Sequence, residues 1–292
     1  YDVNPLSANS ACGFLPPTNV GTPGPTTNVT TDDIYSPTIP IGFTFYFYGK
    51  PYTNVIVSGN GFISFDISKA GAFSHYGILN SGGFLSATTG TPQNLPSNLY
   101  DKAIIMGPYH DLDIAQRATY SPTCQIKTEL IGARPHRKFI ISYYKLPLFL
   151  TSCNNLIENT HQIVLYEGVN IVEVYVNGIQ RCMGWNNGRA MIGIQDSSRT
   201  KAKMAPGRTA SDVWGSTNMN ESWRFVPKGG IPLLDSVRLY DTLGNFIAYG
   251  DTLDMGDGSY KVTFPHVCTP FGTSTFEGLI TLLISLVFTN TS

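Results

Sequence analysis

The segment His110-Asp111-Leu112-Asp113 sets two carboxylates beside an imidazole, directly after the apolar run 102–108. In extended backbone alternate side chains point the same way, so Asp111 and Asp113 share one side. Three chemistries fit such a pair. The first expectation is a polar loop after a buried strand, its carboxylates accepting from backbone N–H groups or from Arg137. The second is a divalent-cation site, with calcium the ion that an all-oxygen set prefers. A hydrolytic acid–base pair comes third. No Asp-x-Asp-x-Asp-Gly loop occurs in the chain, so a calcium site would need oxygens from elsewhere. Asp251, Asp254 and Asp257 recur every third residue around glycines and read first as turn residues, second as a cation site.

Nucleophilic catalysis finds little support. There is no Gly-x-Ser-x-Gly elbow and no glycine-rich phosphate loop. Cys153 and His161 could be drawn as a thiolate–imidazole pair, but an oxidised cysteine cannot serve. Cys12, Cys124, Cys153, Cys182 and Cys268 contain no Cys-x-x-Cys spacing, which argues against zinc ribbons and thioredoxin-like chemistry. Wide spacing in a strand-rich chain suits disulfides. Cys153 with Cys182 is the preferred pair because they flank two adjacent strands; buried free thiols are the alternative. Of the three tryptophans, Trp223 reads as core. Trp185, in a Trp-Asn-Asn-Gly turn, and Trp214, in a loop, are the candidates for stacking on a ligand such as a sugar ring.

These residues need a scaffold, and composition says which kind. The chain has 292 residues, enough for more than one domain, and only 13% are charged, against roughly 25% in an average soluble domain. Glycine (29), proline (19), tyrosine (16) and phenylalanine (16) take their place, which are turn and strand residues. A net charge of −1 with no Lys/Arg cluster excludes a phosphate-tracking surface, so no nucleic-acid partner is expected.

Period-two patterning recurs along the chain. Ile41, Phe43, Phe45 and Phe47 fall on one face of a strand, and residues 54–66 form a hairpin turning at Asn60-Gly61. Residues 125–132 pair with 137–145, and 160–166 with 171–177. In the last of these Val172, Val174 and Val176 face inward while Glu173 and Tyr175 face water. Residues 102–108, 189–196 and 222–226 are further strands, and 68–100 is a long surface loop. The fold class is therefore all-β: an extended Pro/Thr-rich lead-in (1–40), a large antiparallel β-sandwich (41–227) and a small, incomplete immunoglobulin-like sandwich (228–292). The apolar tail Gly278–Phe288 is shorter than the about 20 residues a membrane helix needs, so no membrane span is expected. Its side chains Leu279, Ile280, Leu282, Leu283, Ile284, Leu286, Val287 and Phe288 read as a strand that could complete a neighbour's sheet.

Several stretches carry a resemblance. Ile41 to Phe65, with its aromatic strand and Asn-Gly hairpin, resembles the opening of nidogen-like β domains. Ile104 to Asp113, Pro135 to Tyr143, His161 to Val176, Gly184 to Gln195, Ala205 to Arg208 and Glu221 to Pro227 resemble large surface proteins of Bacteroidetes. Those are the gliding-motility-associated adhesins that leave by type IX secretion. The pair Cys153 and Cys182 fits the same pattern, and Val237 to Asn245 with Gly250 to Leu253 is similar to the immunoglobulin-like repeats that follow. The resemblance implies a non-enzymatic adhesin or filament component on the bacterial outer cell surface. Its partners would be other surface-protein domains, further copies of itself, or surface glycans. A carbohydrate-binding module using exposed tryptophans is the alternative, and no cofactor beyond possible calcium is implied.

Overall fold

The computed structural model describes residues 1–6 and 26–228 in full, together with the backbone of strands at 237–240, 246–254 and 260–263. It divides into two compact units, 1–227 and 228–292. In the first unit the strands are β1 (Asp2–Pro5), β2 (Ile39–Phe47), β3 (Lys50–Val57), β4 (Phe62–Ser64), β5 (Leu79–Ser81), β6 (Phe84–Ser86), β7 (Thr91–Pro92) and β8 (Ile104–Tyr109). They continue with β9 (Gln125–Ile131), β10 (Lys138–Leu146), β11 (Asn159–Tyr166), β12 (Val172–Gly178), β13 (Met191–Gln195), β14 (Ala202–Met204) and β15 (Glu221–Val226). The second unit contributes β16 (Val237–Tyr240), β17 (Phe246–Asp254) and β18 (Tyr260–Thr263), an antiparallel sheet in the order β16-β17-β18.

Two six-stranded sheets make the sandwich, ordered β1-β15-β12-β11-β10-β9 and β14-β13-β8-β4-β3-β2. The alternation in β2 does what its pattern implies: Ile41, Phe43, Phe45 and Phe47 are buried while the residues between them are exposed. They meet Ile141, Ile163, Leu165, Val174 and Phe225 of the opposite sheet in one continuous apolar core. Such burial of large side chains, about 1.5–3 kcal/mol each, is what holds the two layers together.

Three features differ from the sequence expectation. Residues 1–40 are not simply a lead-in. β1 pairs with β15, and Tyr35 is buried and hydrogen-bonded to the Ala72 carbonyl. Residues 68–100 are not one loop: β5, β6 and β7 form a small sheet. Ile78, Leu95 and Tyr100 from this segment pack with Ile56, Phe62, Ile104 and Met106 in a second core on the far face of the β8 sheet. Strand β8 is thus buried on both faces, which explains its uninterrupted apolar run. The third difference is that Tyr175, 4% exposed and packed with Ile140 and Val164, is buried, and so is Glu173, likewise expected to face water. Glu173 is 0% exposed and accepts from the Tyr166 and Tyr175 hydroxyls and, at 2.6 Å, from Arg224 Nε. Three donors satisfy the buried carboxyl oxygens, which unpaired would be costly to bury.

The tail 279–288 and Cys12 and Cys268 lie outside the described residues, as does Asp257; the side chains of Asp251 and Asp254 do too. Among the described residues no helix is long and apolar enough to cross a membrane.

Candidate functional site

Tyr109 ends β8, and the chain bends at His110 and pairs again at Leu112, where the Asp111 carbonyl accepts from Phe149 N and Asp113 N donates to the Pro147 carbonyl. This pairing brings Phe149 beside Asp111. A second segment comes from the N-terminal region. Asp32 and Asp33 form a turn in which Asp33 takes φ +53°, a left-handed conformation that aspartate tolerates better than most residues. The Asp33 carbonyl accepts from Ser74 N.

Asn60 joins the two segments. Sequence reading gave it only a turn role, and of the Asn-Gly pair only Gly61 has positive φ (+79°). Asn60 is fully buried. Its Oδ1 accepts from Leu112 N (3.0 Å), and its Nδ2 donates to Asp33 Oδ1 (2.8 Å) and the His75 carbonyl (3.1 Å). One amide therefore fixes the Asp32–Asp33 turn against the end of β8. Carboxylate oxygens of Asp32, Asp33 and Asp111 then lie within 4.8 Å of one another.

Trp185 completes the arrangement. Its Nε1 donates to Asp111 Oδ2 at 2.5 Å, and its ring stacks on Tyr76 (6.2 Å, 24°) and tilts against Phe149 (5.0 Å). Tyr76 in turn meets Phe73, which is 55% exposed. The loop that carries Trp185 is pinned by the disulfide Cys153–Cys182, with Cα atoms 5.8 Å apart, and the Cys182 carbonyl accepts from Trp185 N and Gly188 N. Asn186 holds Tyr76 alongside by donating to its carbonyl (2.9 Å) and accepting from Ile78 N (3.0 Å). A cavity behind the indole, lined by His110, Asp111 and Leu148, measures about 10 Å³, room for about one water.

The electrostatics follow from crowding and burial. Burial first, then Asp33 and Asp113, pushes the Asp32 carboxyl up to about 7. Burial raises Asp33 as well, against the Asn60 hydrogen bond, and carries Asp111 well above the usual carboxylate range with Asp33 adding to it. His110 is forced down to about 3 by burial, and His161, stacked on Tyr143 at 4.3 Å, lies well below its ordinary value for the same reason.

The structure brings together two of the four candidate ligand-binding residues. Asp111 and Trp185 touch. Asp113 sits close by but caps the turn Ile114–Gln116, accepting from Ala115 N at 3.0 Å. Trp214 is not a surface platform: it is 6% exposed, its Nε1 donates to the Ala190 carbonyl at 2.7 Å, and the Arg208 guanidinium lies over its ring. Nor does Arg137 serve these acids, since it pairs with Glu167. Cys124 is a buried free thiol. Asp32, Asp33, Asn60 and Tyr76 escaped the sequence reading. Only the doubled acid of Asp32-Asp33 was a visible signal, and it lies far from Asp111 in the chain.

The two layers and the disulfide define an all-β antiparallel sandwich domain. A family model described as NIDO related matches residues 10–230, most of the chain, and the protein belongs to this nidogen-related family. No curated protein and no solved structure matches the chain. Family and disulfide together fit an extracellular protein.

Proposed function

We propose that the chain is a non-enzymatic binding domain of a cell-surface protein, an adhesin or filament component, that meets its partner at the loop end bearing Trp185. One observation carries the reading: the residues whose sequence pattern suggested acid–base or nucleophilic work are each tied into the fold. His110 is buried with its pKa at about 3, Asp113 caps a turn, Asp111 accepts from Trp185, and Cys153 is oxidised. What the loop end offers instead is a row of rings, Phe73, Tyr76, Trp185 and Phe149, suited to contact rather than turnover. The resemblance to Bacteroidetes gliding-motility adhesins supports a bacterial outer-surface location and type IX export.

A carbohydrate partner is the second reading, favoured by the half-exposed Trp185 ring with carboxylates beside it. The test combines three measurements on the purified chain: electron microscopy for fibres, retention of surface-protein partners, and a panel of polysaccharide and peptide substrates. Fibres or retained partners without turnover are expected, and Trp185→Ala should weaken retention without loss of fold. Polysaccharide hydrolysis that disappears in Asp113→Asn would overturn the reading. Glycan-array binding lost in Trp185→Ala selects the carbohydrate form.

A further inference from the structure

We propose that Asp32, Asp33 and Asp111 bind a hard divalent cation of the calcium class, which clamps the N-terminal turn to the end of β8 beneath Trp185. An acidic cluster alone would not carry this, because carboxylates often gather where water screens them. Here the screening is missing. Asp111 is 4% exposed, and its Oδ1 has no hydrogen-bond donor; neither does the buried Asp32 Oδ1. Such groups are normally satisfied, and leaving one unsatisfied is costly, most of all when it is charged. Among the described residues none of the three acids takes part in an ion pair.

The geometry suits an ion. Calcium holds oxygens at about 2.3–2.6 Å, so ligands on opposite sides of one ion stand about 5 Å apart. Three carboxylate oxygens within 4.8 Å of one another can all reach a single cation, with water filling the remaining positions. The donor set is entirely oxygen, which disfavours zinc and copper. Magnesium keeps most of its water and accepts few protein carboxylates, so it is expected to bind more weakly. The Asn60 amide bond to Asp33 Oδ1 and the Trp185 bond to Asp111 Oδ2 orient two of the three carboxylates from outside, as outer groups do around metal ligands generally.

Trp185 supplies the probe. Its indole nitrogen already touches a ligand carboxylate, so an ion bound there lies within a few ångströms of the ring. The other two tryptophans are buried in the core. Terbium(III), an oxygen-seeking stand-in for calcium, is titrated into the chelator-stripped full chain while indole is excited. Sensitised emission that calcium displaces is expected, together with a calcium-induced rise in unfolding temperature. Asp111→Asn should weaken terbium binding by about tenfold or more, since affinity follows ligand charge. Asp32→Asn, which removes no hydrogen bond at Oδ1, should do likewise and guards against a folding defect in the buried position. Trp185→Phe should lose the emission and keep the calcium-induced thermal shift. The proposal is overturned by an unfolding temperature indifferent to calcium or by binding unchanged in both Asp variants. No partner is present in these measurements, so their failure leaves the adhesive reading standing, and the reverse also holds.

Discussion

Replacing His110 with glutamine should remove about 2.5 kcal/mol of acid sensitivity from the first unit. The ring is buried and its pKa is about 3 in the folded state, whereas an unfolded chain returns it to about 6.5. The folded pKa is depressed, so the unfolded ensemble binds the extra proton as pH falls. Stability from this group is therefore complete above about 6.5 and drains away as pH drops toward 3. Each pH unit in that window costs about 1.4 kcal/mol, so going from pH 7 to pH 4.5 removes about 2.5 kcal/mol. His161 acts in the same direction, its pKa lying well below the ordinary value. The raised carboxyls of Asp32, Asp33 and Asp111 act oppositely, since the folded state then holds protons the unfolded one has released. Wild-type stability alone would blend these terms. The difference between wild type and His110→Gln cancels the carboxyl contributions, which titrate in both proteins, whereas that of His161 cancels only in part because His110 helps to lower its pKa. Urea unfolding in a chelating buffer at pH 7, 5.5 and 4.5 gives that difference directly. Whatever the variant loses at pH 7, the gap should shift in its favour by about 2.5 kcal/mol at pH 4.5. Parallel profiles, offset by the same amount throughout, would show that the ring is not held neutral and would refute the argument.

Two further outcomes follow from the same scaffold. Reducing Cys153–Cys182, which are 29 residues apart in sequence, should lower stability by about 3.5 kcal/mol on the loop-entropy account; urea midpoints with and without a thiol reductant measure it, and an unchanged midpoint rejects that account. Gly61→Ala should cost about 2 kcal/mol or more by thermal or urea unfolding, because φ is +79° and a Cβ would stand 2.4 Å from the Pro108 carbonyl oxygen; a neutral substitution would mean the turn can relax.

Much of this architecture was legible because a strand with one wet face repeats itself every second residue. Phe43, Phe45 and Phe47 declare their face in three residues, and the pairings of β9 with β10 and of β11 with β12 follow from turns between such strands. The pattern fails where its premise fails. Glu173 sits at a position that period-two logic sends to water, yet Tyr166, Tyr175 and Arg224 make a buried carboxylate tolerable there. β5, β6 and β7 are two or three residues long, too short to show a period at all. Trp214 stands among small polar residues that read as a surface loop, and only the Ala190 carbonyl, brought in by β13, makes its burial affordable.

The acidic site was half legible for a related reason. Calcium sites that can be read from sequence draw their ligands from one short loop, so spacing betrays them. Here the oxygens come from a turn before β2 and from the end of β8, and they meet only because Asn60, in a third place, bonds to both. His110-Asp111-Leu112-Asp113 drew attention to this segment, and Asp113 accepts from a backbone N–H as the first expectation had it, but local alternation gave no sign of Asp32 and Asp33. A site assembled from three places along one sheet has the pairing of that sheet behind it. Asn60→Ala should then weaken terbium binding at least as much as the loss of one acid, because its amide bonds to both the turn and the strand end; titration of the variant measures it.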